Sequence, residues 1–295
     1  MFDLKRYLLE RASWINERLA DFVPSIYAKP FLLSEAIHYS LFAGGKRLRP
    51  ILCVASAEAA GGDGEAALPV ACALEMIHTY SLVHDDLPCM DDDDYRRGKL
   101  TSHKVYGENM AILVGDALLT HAFTVLSSYG AEDPAARLQI IREISRAAGP
   151  SGMVAGQTQD VLSEGRAVDP ETLEYIHVHK TGDMFAAAIR SGAMTAGAPD
   201  RMLDALTEYA EAFGMAFQIT DDILDMAGDS GKMGKTAGGD NKLGKGTYPS
   251  LFGLERSREM ARDFIRKGLR ALEALPEERT EPLRAIIEYL AGRET

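Results

Sequence analysis

Cysteine is almost absent from this sequence. Cys53, Cys72 and Cys89 are scattered, and none stands in Cys-x-x-Cys spacing. So odd and sparse a count argues against a disulfide framework and fits a reduced, cytoplasmic protein. Positive charge is in deficit: 32 Lys and Arg face 44 Asp and Glu, a formal net charge of −12. That balance argues against nucleic acid or an anionic membrane as a main partner. An anionic ligand would have to be held by a local basic patch against the global field. The first ten residues, MFDLKRYLLE, are charged and amphipathic and lack the apolar core of a signal peptide. One stretch, Asn109 to Gly130, carries Asp116 as its only charge and could pass for a membrane span. With no comparable span elsewhere, a helix wholly buried in a bundle is the expectation.

What is present is helix. Apolar residues fall at helical spacing from Phe2 to Leu19 (Leu4, Leu8, Ile15, Leu19) with charges opposite. Pro24 and Pro30 mark a loop, Ser34 can cap a helix to Phe42, and Gly44-Gly45 ends it. Helices are expected from Pro50 to Ala60, from about Glu65 to Asp85, and at 104–128, 134–147 and 153–163. Asp169-Pro170-Glu171 supplies cap, first-turn proline and acid for a helix to about Ala196, and another runs from Asp200 to near Met226. Residues 227–247 hold seven glycines and four lysines and read as a loop, usually functional at this length. C-terminal helices follow, with Pro276 and Pro282 near their ends. Strand signals are scarce, and neither repeat nor linker is visible. The expectation is one all-α domain over residues 1–295.

The chemistry concentrates between Glu75 and Glu108. Six carboxylates lie between positions 85 and 94 (Asp85, Asp86, Asp91, Asp92, Asp93, Asp94), and Arg96, Arg97 and Lys99 follow at once. Like charges this close repel unless a cation sits among them. Mg²⁺ suits them, since it takes oxygen ligands and keeps waters and substrate phosphates in its shell. Guanidinium forks match phosphate oxygens bidentately. Together they read as a site for a metal-bound phosphate ester. A second acidic cluster, Asp221-Asp222-Ile223-Leu224-Asp225, puts Asp221 and Asp225 on one helix face. Two such helix ends could clamp one diphosphate from opposite sides.

At these two clusters the chain resembles the short-chain trans-isoprenyl diphosphate synthases, in the form of bacterial farnesyl diphosphate synthases. The resemblance extends from Gly44-Gly45-Lys46-Arg47-Leu48-Arg49-Pro50 to Gly244-Lys245-Gly246-Thr247-Tyr248-Pro249. It implies an isoprenoid synthase fold, a bundle of antiparallel helices around a central cavity. It implies Mg²⁺, three ions per active site, held by Asp85, Asp86, Asp91, Asp221 and Asp225. An ideal helix would bring Asp92 under Asp85, but Pro88 breaks that register and the family motif names Asp91. Lys46, Arg49, His78 and Arg97 are implied to bind isopentenyl diphosphate, and Arg96, Lys180 and Lys235 the allylic diphosphate. Gln157 and Asp160 are implied to lie near the allylic substrate, and Lys245 matches a second closing lysine. His84 matches no family role, and Leu100 and Asp183 depart from the family pattern.

Gly182 inside a helical run costs about 1 kcal/mol relative to alanine, which suggests local unwinding at Lys180-Thr181-Gly182. The resemblance makes the Lys180 carbonyl, Thr181 and Gln218 the groups that face a developing cation. It implies condensation of isopentenyl diphosphate with dimethylallyl or geranyl diphosphate, 1′ to 4, by a homodimer. Tyr80 lies about 7.5 Å below Asp85 at 1.5 Å per residue, and Ser81 shares the face of Asp85. In the family an aromatic there goes with C15 products, so farnesyl diphosphate is the expected product and geranylgeranyl diphosphate the alternative. A terpene cyclase would usually carry an Asn/Ser/Glu-type second motif and no GGKRLRP. A non-catalytic helical binding protein would have lost an Asp cluster or the lysines.

Overall fold

The computed structural model describes residues 2–227 and 246–292. Among the described residues the regular elements are helices apart from one hairpin of two two-residue strands. In order the elements are α1 (Leu4–Leu19), α2 (Phe31–Leu41), α3 (Leu48–Ala59), α4 (Gly64–Asp85), β1 (Tyr95–Arg96), β2 (Lys99–Leu100), α5 (Ser102–Tyr106), α6 (Glu108–Tyr129), α7 (Pro134–Ala148) and α8 (Met153–Ser163). Then come α9 (Pro170–Ile176), a π-helical turn (His177–Gly182), α10 (Asp183–Thr195), α11 (Asp200–Ala227), α12 (Tyr248–Phe252), α13 (Leu254–Ala271) and α14 (Glu277–Gly292). The expected all-α architecture is the one found.

The helices begin where side chains satisfy their first amides. Asp3 accepts from the Arg6 N–H at 3.0 Å, and Asp169 from the Thr172 N–H at 2.8 Å with Pro170 in the first turn. Ser34 is not such a cap. Helix α2 starts earlier, after Pro30, and the Ser34 hydroxyl donates to the Ala28 carbonyl at 3.0 Å. Pro282 lies inside α14 rather than near its end.

Helix α4 is the axis of the molecule. It packs on α6 and α3, and α3 packs in turn on α10. Its residues Val70, Ala71, Cys72, Ala73, Leu74, Met76 and Ile77 have no exposed surface. A second apolar cluster joins α3, α10, α11, α13 and α14 around Phe185, Tyr209 and Phe213. Leu68 of α4 belongs to this second cluster too, so apolar packing ties α4 to α11 through shared neighbours.

The expected wholly buried helix is corrected. The 104–128 stretch breaks at Gly107 (φ 87°) into α5 and α6, and only one face of α6 is covered. Ile112 and Leu113 on the other face are 45% and 52% exposed. Nor is α6 alone in its character. Helix α4 is also long and apolar enough to span a membrane, and it is α4 that is buried here. Length and composition therefore report a core helix in one case and a half-open one in the other.

Candidate active site

The basic half is built on the turn before α3. Arg47 adopts a left-handed backbone (φ 50°) and sends its guanidinium inward, with 2% of the residue exposed. It donates to Asn16 Oδ1 at 2.9 Å, to the Leu41 carbonyl at 2.6 Å, and to Glu75 Oε1. Two residues on, the Arg49 guanidinium lies 4.5 Å from the Phe185 ring centre. Burial lowers its pKa to about 10, opposed by Glu75 and Asp221 and reinforced by Arg97. Arg97 donates to the Gly44 carbonyl, and its guanidinium fills the space where a Cβ on Gly45 would stand. Gly45, at φ 122°, is required twice over, for its backbone and for that contact.

His78 on α4 faces this group. Burial first, and then Arg49, Arg97, Arg96 and Arg47, hold its pKa well below the usual histidine value. A neutral imidazole close to arginines is a hydrogen-bonding group in cationic surroundings, which suits an anion with several oxygens. Of the residues expected at isopentenyl diphosphate, Arg49, His78 and Arg97 are brought together. Lys46 is exposed on the adjoining turn.

The first acidic end follows from how α4 stops. Its regular run ends at Asp85, and Asp86 caps it. The Asp91 N–H then donates to the Asp85 carbonyl at 2.9 Å, and the Asp92 N–H to the Leu87 carbonyl at 3.2 Å. Helical register is lost before Pro88, so it is Asp91 that returns beside Asp85. Asp86 is 3% exposed and accepts from Arg96 at 2.5 Å, while Arg96 also reaches Asp93 at 3.1 Å. Burial raises the Asp86 pKa to about 6 against the opposing pull of Arg96. Arg96, expected at the allylic diphosphate, is here tied to these two carboxylates. Asp94 pairs with Lys104 at 2.6 Å. The hairpin that presents Arg96 and Arg97 was not foreseen from sequence, since two-residue strands leave no alternation to read.

The second acidic end is carried by α11. Asp222 and Asp225 are 6% and 4% exposed. Asp222 Oδ2 accepts from the Tyr248 N–H at 2.9 Å and lies 3.7 Å from His177 Nε2. The His177 ring stacks on that of Tyr248 with centroids 5.4 Å apart, and burial lowers its pKa to about 4. Sequence reasoning missed His177 and Tyr248, whose partners are distant along the chain.

The π turn packs against α11 and α8. Lys180 donates to Asp160 Oδ2 at 2.6 Å, joining two residues expected near the allylic substrate. His179 Nδ1 and Asp183 Oδ2 are 2.8 Å apart. The expected unwinding at Lys180-Thr181-Gly182 takes the form of a widened helix, which releases backbone groups from the regular ladder. A widened helix needs room. A Cβ on Gly156 of α8 would overlap the Lys180 backbone, and one on Gly214 of α11 would lie 3.0 Å from Gly182 Cα. Thr181 and Gln218 are half-buried on the turn and on α11, which pack together.

Tyr80 is 7% exposed, and burial raises its phenol to about 12. Its ring stands edge-on to His84 at 5.7 Å, and His84 Nε2 is 3.1 Å from the Ile112 carbonyl. The Ser81 hydroxyl donates back to the His78 carbonyl at 2.9 Å. Lys235 and Lys245 lie outside the described residues.

Among the described residues no three Asp, Glu, His or Cys side chains close into a metal cage. The donor set still fits Mg²⁺, because it consists of hard carboxylate oxygens on two separate helix ends. Mg²⁺ is commonly held by one or two carboxylates and completes its shell with water and phosphate. Arg96, next to Arg97 on the hairpin, is bonded to Asp86, so the basic group adjoins the acidic end of α4, and Asp221 acts electrostatically on Arg49.

A family profile described as polyprenyl synthetase matches residues 30–287. The chain is 46% identical over 296 residues to geranylgeranyl pyrophosphate synthase 7, chloroplastic, of Arabidopsis thaliana, covering 99% of this chain and 85% of that one. It is 48% identical over 294 residues to a dimethylallyltranstransferase of Fischerella ambigua, covering 99% and 84%. The crystal structure of an FPP/GFPP synthase from Zymomonas mobilis superposes with a TM-score of 0.87 at 37% identity, covering 98% of each chain.

Proposed function

The chain belongs to the polyprenyl synthetase family and is a prenyltransferase of the isoprenoid synthase fold, and from that premise we propose that it elongates an allylic diphosphate with isopentenyl diphosphate as far as geranylgeranyl diphosphate. The observation that carries the reading is the basic cluster at the Gly44-Gly45 turn, where Arg97 donates to the Gly44 carbonyl and Arg49 opens the helix that follows, beside the acidic end of α4, where Arg96 donates to Asp86 at 2.5 Å. The farnesyl expectation gives way as the main reading because curated relatives such as those of Arabidopsis and Catharanthus roseus are geranylgeranyl pyrophosphate synthases. One observation favours farnesyl diphosphate as a second reading: the buried Tyr80 ring, one turn and a half below Asp85.

In this reading Asp85, Asp86 and Asp91 on one side, and Asp221 and Asp225 on the other, would hold Mg²⁺. The bound metal supplies Lewis-acid stabilisation of the diphosphate as it departs. Arg49, Arg97, His78 and Lys46 bind the diphosphate of isopentenyl diphosphate and orient its double bond. Lys180, with Arg96, meets the allylic diphosphate. The Lys180 carbonyl, the Thr181 hydroxyl and Gln218 present fixed dipoles to the allylic carbon as positive charge develops. The C–O bond breaks, the double bond of isopentenyl diphosphate attacks, 1′ to 4, and a proton leaves to the released diphosphate. Dimethylallyl, geranyl and farnesyl diphosphates then serve as successive allylic substrates.

The homodimer belongs to the same proposal. Its support is the uncovered apolar face of α6 at Ile112 and Leu113, and sedimentation tests it. A cytoplasmic location is consistent with three free cysteines. Purified protein incubated with isopentenyl and dimethylallyl diphosphates and Mg²⁺ should yield C20 alcohols after dephosphorylation. A C15 end product selects the second reading, and no elongation at all rejects both.

A further inference from the structure

We infer that Glu75 is a positioning residue for the isopentenyl diphosphate half of the site, the buried counter-ion that sets where Arg49 and Arg97 stand. The inference rests on the functional reading above. Glu75 lies one turn before His78 on α4 and is 1% exposed. Its partner Arg47 bonds at once to α1 through Asn16, to the end of α2 through the Leu41 carbonyl, and to Glu75. Arg47 is also the residue that immediately precedes α3, in a left-handed conformation. A side chain pinned to three elements at that point fixes the direction in which α3 leaves the Gly44-Gly45 turn. Arg49 sits in the first turn of that helix.

Charge makes the same case. Arg49 and Arg97 repel each other, and Glu75 is the strongest attraction acting on each. Their other acidic neighbours are Asp221 and Asp86. Both belong to the clusters whose charge Mg²⁺ would take up. With those carboxylates committed to metal, Glu75 is the counter-charge that keeps the arginines assembled before a diphosphate arrives. A buried ion pair is weak support for stability, because an apolar pair of similar volume often does as well. Its place next to the turn that starts the helix of Arg49 gives it a different task, preorganisation of the binding groups.

Two variants test this, Glu75→Gln and the double variant Arg47→Met/Glu75→Met. Each is compared with wild type for melting temperature, for calorimetric binding of isopentenyl diphosphate alone, and for the KM of each substrate. Glu75→Gln should weaken isopentenyl diphosphate binding and raise its KM by about tenfold or more, the size of one lost charge interaction. The allylic KM should stay within about twofold, because the lost group acts on one half of the site. The double variant should melt near wild type and keep the raised KM, which decides the matter even if Glu75→Gln folds poorly. A double variant with wild-type KM would show that the pair is scaffold only, and an equal rise in both KM values would overturn the inference too. A wild type that neither binds isopentenyl diphosphate nor forms product rejects the functional reading instead.

Discussion

The C-terminal ends of α4 and α11 each carry an acidic cluster, and each turns its second aspartate inward. Asp86 and Asp222 are 3% and 6% exposed, more buried than the Asp85 and Asp221 that precede them. Their partners differ. Asp86 is met by a cation ten residues on, Arg96 of the hairpin, at 2.5 Å. Asp222 is met by a backbone amide 26 residues on, that of Tyr248, beside a histidine that burial keeps neutral. The α4 end is therefore assembled from its own neighbourhood. The α11 end is assembled from the π turn, from α11 and from the helix after the glycine-rich stretch. The contacts of one acidic end are near in sequence, and those of the other are distant.

If both ends serve one diphosphate, Asp85→Ala and Asp221→Ala should each lower kcat by about 10³-fold, the scale of losing a preorganised electrostatic contact in the transition state. Circular dichroism should report an intact helical protein in both. Near-normal turnover in either would break the symmetry of the pair.

Gly156→Ala probes the π turn that belongs to the α11 end. The new Cβ overlaps the Lys180 backbone, so Lys180 and Thr181 must shift. Overpacking of this kind costs about 1–3 kcal/mol. The expected kcat loss is about tenfold, since small displacements of positioning groups cost rate steeply. An alanine variant with unchanged kcat would detach the turn from catalysis.

Asparagine at the two inward aspartates sharpens the contrast in stability. In Asp86→Asn the half-buried Arg96 loses the nearer of its two carboxylate partners and keeps Asp93, a cost of about 2 kcal/mol. In Asp222→Asn the amide oxygen can still accept from the Tyr248 N–H, so that bond is kept and the loss should be smaller than at Asp86. Urea titrations measure both, and the reverse ranking would show that the α11 end is the more charge-dependent.

The smallest effect on rate is expected at Tyr80. Tyr80→Ala opens space beside His84 and should lengthen the product by one C5 unit with kcat changed about twofold, since the ring is remote from the reacting carbon. An unchanged product would remove Tyr80 from length control.

The sequence carried the α4 end well. Asp91 rather than Asp92 stands beside Asp85 because helical register fails before Pro88, and the proline and the motif together signalled it. Arg49 and Arg97 both act electrostatically on His78. The inward side of each cluster was not legible. Tyr248 approaches Asp222 through a backbone amide, which no residue type announces. Arg47 lies beside Lys46 and Arg49 in one basic motif, yet it is the arginine that turns into the core. Only the left-handed backbone at that residue distinguishes it. Helix α6 was misread for a related reason: apolar composition is the same on a covered face and on an open one.

A double-mutant cycle on kcat with Asp85→Asn and Asp221→Asn tests the shared clamp most directly. Groups that act on one departing diphosphate are strongly non-additive. The double variant should lose little more than the worse single variant. If the two losses multiply in full, the two helix ends act independently, and the single clamped diphosphate is contradicted.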